Sequence, residues 1–166
     1  MLDLLAGGAY ELFQIICVIT LFFYFLIRSG AFNQVIQDTG SRRDYIILIL
    51  SFGLLSIYGT TSGLFGFGAL FNVRDLGPFI GGLVCGPYVG IPAALIGIAY
   101  RATLGGVTMV PCCIGTFFAG LFSSLIWYLN KKEYIGINKS ILCMFFVEIV
   151  HFSLVGILIP DPSVMT

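Results

Sequence analysis

Four long apolar stretches divide the chain: Tyr10 to Ile27, Tyr45 to Thr61, Thr108 to Leu129 and Ser140 to Ile159. A helix rises about 1.5 Å per residue, so roughly 20 apolar residues cross a hydrocarbon core of about 30 Å. Each stretch therefore reads as a membrane helix. A fifth apolar segment, Leu76 to Tyr100, carries Pro78, Pro87 and Pro92 and glycines at 77, 81, 82, 86, 90 and 97. Pro87 lacks an amide donor and crowds the preceding turn, so Gly86-Pro87 is the predicted break. The segment is either one crossing or two half-helices that turn back at Gly86. The pairs Gly77/Gly81, Gly82/Gly86 and Gly86/Gly90 have the small-x-x-x-small spacing that lets helix backbones approach.

Basic residues discriminate between these two topologies, because lysine and arginine favour cytoplasmic loops. A single crossing splits them evenly, with Arg28, Arg42, Arg43 and Arg101 opposite Arg74, Lys131, Lys132 and Lys139. A turn at Gly86 gathers residues 28, 42, 43, 131, 132 and 139 on one side and leaves only Arg74 and Arg101 on the other. The second arrangement is a usable bias. It predicts an outer amino terminus and both arginines at the outer face. Gly77 to Gly86 spans only about 15 Å as helix, so the pair must be re-entrant and covered by protein.

Composition agrees with a polytopic membrane protein: 58% of residues are hydrophobic and 10% charged. The formal net charge is zero, which argues against nucleic acid as a partner. Asp3 and Glu11 precede the first apolar run where a signal peptide has lysines, so this run reads as a retained anchor. The five cysteines, 17, 85, 112, 113 and 143, sit in apolar runs without C-x-x-C spacing and read as small hydrophobes. No metal or other cofactor is expected.

Arg74 and Arg101 are the only basic residues between Tyr45 and Tyr128. An arginine at membrane depth costs at least about 2.5 kcal/mol, so each requires a partner, a wet cavity or a ligand. A guanidinium presents a planar fork that pairs bidentately with a carboxylate or phosphate, and two on one side form an anion clamp. The plainer reading pairs Arg74 with the adjacent Asp75. Asn72 reads equally as a helix cap or a ligand contact. Glu148 and His151, three apart on one face of the last helix, face inward, either bonded to each other or serving a proton relay or ligand. Trp127, Tyr128 and Tyr134 beside Lys131 and Lys132 are interfacial anchors. Nucleophile and base nowhere occur at a catalytic spacing, so the chain itself is not read as an enzyme.

Three sequence elements in register carry a family resemblance: Asn72-Val73-Arg74-Asp75-Leu76-Gly77, then Gly81-Gly82-Leu83-Val84-Cys85-Gly86-Pro87-Tyr88-Val89-Gly90, then Tyr100-Arg101-Ala102-Thr103-Leu104-Gly105-Gly106. The chain resembles the LytS/YhcK-type five-transmembrane receptor domain. That resemblance implies an all-α, multi-pass bundle in the plasma membrane, similar to the substrate-binding subunits of energy-coupling vitamin transporters. It also implies a sensor module joined to a cytoplasmic histidine kinase or diguanylate cyclase, with cell-wall control or a small carboxylate such as pyruvate as the signal. Arg74, Arg101 and Asn72 would bind the anion. Cys112 falls at the family's cysteine, and Gly115 falls where relatives carry serine, with Thr116 next to it as a substitute hydroxyl. No kinase or cyclase motif follows Ile159, so residues 1–166 are expected to form one sensor domain, cut from a longer receptor or encoded apart from its output. The expected partners are a small anion, the lipid bilayer and the output domain, with a homodimer left open. The alternative is a solute-binding subunit of a small-molecule transporter.

Overall fold

The computed structural model describes residues 2–62, 64–66, 69–71 and 73–159. In chain order the elements are α1 (Leu2–Arg28), α2 (Ala31–Ile36), α3 (Arg42–Thr61), β1 (Leu64–Gly66), β2 (Ala69–Phe71), α4 (Leu76–Cys85), α5 (Pro87–Leu104), α6 (Met109–Leu129) and α7 (Ile137–Leu158). Helices α3, α6 and α7 are long and apolar enough to cross a membrane. The first expected span lies within α1, one continuous helix whose apolar part among the described residues is Leu12–Arg28.

Helices α4 and α5 join where the Gly-Pro pair predicts. Gly86 is at φ 78°, ψ −168°, a conformation open essentially to glycine, and Pro87 takes the first position of α5, where no amide donor is needed. The chain then folds back on itself. A Cβ on Gly90 would collide with the backbone of Gly82, so residues four before and four after the turn lie side by side. A side chain at Gly86 would also meet the Trp127 ring at 2.8 Å. Glycine thus serves both the turn and the packing at this point.

The α4–α5 hairpin is held between α3 and α6, and α7 packs on α6. Leu48, Phe52 and Leu55 of α3 form a core with Cys85, Val89 and Ala93. Phe79, Leu83, Ala119 and Val147 form a second core on the α6–α7 side. Outward positions are apolar as well, including Leu54, Leu95, Leu121, Leu125, Phe145 and Ile149. A bundle in lipid gains little from hiding such residues, and association rests on close packing instead.

One element departs from the all-helical expectation. Strands β1 and β2 pair antiparallel with Leu64 opposite Phe71, between α3 and α4. Each has three residues, too few to show a period of two in a uniformly apolar, glycine-rich run. The bundle therefore has two distinct ends. One holds the β-hairpin, Arg74 and the 105–108 loop; the other holds the Gly86 turn and the connections before α3 and before α7.

Candidate functional site

Arg74 enters the bundle because α3 makes room for its backbone. A Cβ on Gly59 would stand 2.6 Å from the Arg74 amide nitrogen, so the chain lies directly on α3 just before α4. From there the side chain runs inward and is fully buried. Its Nε donates to Thr116 Oγ1 at 2.6 Å and faces Asp75 Oδ1 at 3.4 Å, while Nη2 reaches the Cys112 carbonyl at 3.4 Å. Burying a guanidinium in apolar surroundings is sustainable only with such partners.

Asp75 is the hub of the arrangement, a role the sequence reading gave only to its ion pair with Arg74. As the residue preceding α4 it could cap the free amides there, yet its side chain makes no capping bond. Its two oxygens divide between two neighbours. Oδ1 accepts from the Thr116 hydroxyl at 2.6 Å, and Oδ2 lies 2.8 Å from His151 Nδ1. The expected bond between Glu148 and His151 is instead a 3.9 Å approach of Oε2 to Nδ1, because the imidazole is committed to Asp75. The ring fits because residue 115 is glycine: a Cβ there would come within 2.7 Å of it. The Cys112 side chain stands beside both the ring and the Arg74 guanidinium.

Of the residues singled out from sequence, the fold brings together Arg74, Cys112, Thr116, Glu148 and His151. Arg101 is half-buried at the same end and makes local bonds, with Nη1 donating to the Gly105 carbonyl at 2.5 Å and Nη2 to Thr108 Oγ1 at 2.9 Å. It ties down the loop between α5 and α6. The Cys113 thiol lies within electrostatic range of both guanidinium groups. Asn72 lies outside the described residues. At the opposite end, a cavity of about 400 Å³ is lined by residues including Tyr45, Cys85, Trp127 and Lys132, none of them part of the Arg74 cluster.

The chain is similar in sequence to several known proteins. The family model described as 5TMR of 5TMR-LYT matches residues 29–164. Over 126 residues the chain is 34% identical to sensor histidine kinase YpdA of Escherichia coli (strain K12), covering 72% of this chain and 22% of the relative. It is 30% identical over 115 residues to sensor histidine kinase BtsS of the same organism, covering 69% and 20%. It is 28% identical over 133 residues to sensor protein LytS of Bacillus subtilis (strain 168), covering 70% and 22%. The chain thus spans about a fifth of the length of the curated relatives it matches. No solved structure matches it.

Proposed function

Because the chain belongs to the 5TMR of 5TMR-LYT family, we propose that it is the sensing domain of a two-component receptor. It takes a small carboxylate such as pyruvate at the end of the bundle that holds Arg74 and Arg101. The observation that carries this reading is a fully buried Arg74 with Thr116 and Cys112 against it, inside a bundle whose outer surface is apolar. An arginine at such depth marks a ligand or ion path more often than a structural accident. Arg101 is the accessible partner, since its fork rests on a loop carbonyl and a hydroxyl that an incoming carboxylate can replace.

In this reading α4 and α5 form a re-entrant pair. The arginine end faces outward, and residues 28, 42, 43, 131, 132 and 139 face the cytoplasm. Supporting the grouping of those basic residues at one end, Lys132 Nζ lies 3.7 Å from Asp38 Oδ2, with the α6–α7 connection beside the α2–α3 connection. The carboxylate competes with Asp75 for Arg74, and the resulting repacking of α6 and α7 passes to a kinase or cyclase output.

The test is a calorimetric titration of the purified chain with pyruvate, repeated on Arg74→Ala and Arg101→Ala. Losing a charge-assisted bond of about 1.5–3 kcal/mol weakens binding by about tenfold or more in each variant. Arg101→Ala is decisive if the buried position does not tolerate alanine. Unchanged affinity in Arg101→Ala removes the two-arginine clamp.

A further inference from the structure

Glu148 and His151 are not used by the anion reading, and the fold converges them on Asp75 from an element far away in sequence. Among the described residues, one oxygen of each carboxylate and one nitrogen of the imidazole all lie within 4.8 Å of one another. We propose that these three side chains form a binding site for a divalent first-row metal ion of the zinc class.

The ligand atoms are disposed for it. His151 Nδ1 is 2.8 Å from Asp75 Oδ2 and 3.9 Å from Glu148 Oε2. Ligands at about 2.0–2.1 Å from zinc stand a little over 3 Å apart, so the triangle is completed when Glu148 swings inward and the 2.8 Å contact between His151 and Asp75 opens slightly to admit the ion. Nδ1 faces both carboxylates and becomes the metal donor once the ring proton resides on Nε2. Glu148-Ile149-Val150-His151 supplies two ligands from one helix face. That is the Glu-x-x-His spacing with which helical bundles present metal ligands to their interior.

The surroundings of Asp75 resemble the outer shell of a metal ligand. Thr116 and Arg74 contact Oδ1 and fix the plane of the carboxylate, leaving Oδ2 toward the imidazole. Such supports orient a ligating carboxylate. Charge is compatible with it. With a neutral imidazole, one guanidinium faces two carboxylates, and either a ring proton or a bound cation balances the remaining negative charge. An imidazole nitrogen with only two carboxylates suits zinc-class ions rather than calcium or magnesium, which take more oxygen ligands or water.

His151 is the only histidine in the chain, so any histidine signal from protein freed of an affinity tag comes from this position. The experiment titrates purified, chelator-washed, tag-free protein with Co²⁺, following the visible absorption of the bound ion, and then displaces it with Zn²⁺. One ion per chain is expected. Asp75→Asn, Glu148→Gln and His151→Ala each weaken binding by about tenfold or more, and Zn²⁺ shields the single imidazole from acylation. Glu148 is partly exposed, so Glu148→Gln carries the test where Asp75→Asn fails to fold. Absence of saturable binding to the wild-type chain overturns the proposal and leaves a proton on His151 as the balancing charge. Binding of equal strength in Glu148→Gln and His151→Ala also overturns it.

Discussion

His151 Nδ1 and Asp75 Oδ2, 76 positions apart in the chain, meet at 2.8 Å and bind α7 to the start of α4. The contact works because Asp75 also holds Thr116 and Arg74 through its other oxygen. Three side chains from three regions of the chain, Arg74, Thr116 and His151, thereby share one carboxylate.

Asp75→Asn should be the most damaging conservative change in the bundle. It keeps the shape but removes the carboxylate charge beside the buried Arg74, and breaking a buried pair costs about 3–5 kcal/mol. Thermal unfolding in detergent should show a large fall in midpoint. A double-mutant cycle with His151→Ala should give a coupling of about 0.5–3 kcal/mol, and additive losses would show that the two residues act independently.

Gly115→Ser restores the side chain that the resemblance places there in relatives, yet here it should destabilise. Its Cβ would stand 2.7 Å from the imidazole, and overpacking of this kind costs about 1–3 kcal/mol. Combining it with His151→Ala should recover much of that loss. A serine tolerated in the presence of His151 would mean that α7 is free to move aside.

Gly86→Ala should cost about 1–3 kcal/mol for its backbone conformation, with a further loss from the Trp127 ring at 2.8 Å. Adding Trp127→Leu should relieve only the second part. Chemical unfolding of the single and double variants separates the two contributions.

Arg101→Lys should loosen a loop rather than the fold. Lysine cannot span the Gly105 carbonyl and the Thr108 hydroxyl with one planar fork. Hydrogen exchange should accelerate across residues 105–108 while protection in α3 and α6 is retained. Equal acceleration throughout the bundle would show that Arg101 supports the fold as a whole.

Thr103→Cys, at an exposed position near the end of α5, should react with an impermeant maleimide added outside intact cells. Labelling only after the membrane is opened would place the arginine end in the cytoplasm and reverse the proposed orientation.

The features readable from sequence were those fixed by local chemistry. Gly86-Pro87 announces a break because both residues act on their own backbone, and Glu148 and His151 share a face by helical spacing alone. Arg74 and Arg101 stand out because charge is costly among apolar residues. The hub at Asp75 was not readable. Its partners Thr116 and His151 are 41 and 76 positions away, and nothing in a single chain records which helix packs on which. Gly115 appeared as a missing hydroxyl, whereas in the fold it is clearance for an imidazole. Three-residue strands carry no detectable alternation, so β1 and β2 left no trace.

Helix α7 buries Val147 alone among its described residues, and in lipid its apolar flank can trade protein neighbours for acyl chains at little cost. Grease alone therefore holds its vertical register against α6 weakly. Sliding by one turn, about 5.4 Å, would draw Val147 out of its core with Phe79, Leu83 and Ala119 and tear His151 from Asp75. A polar rivet and a buried valine together set the height of the helix.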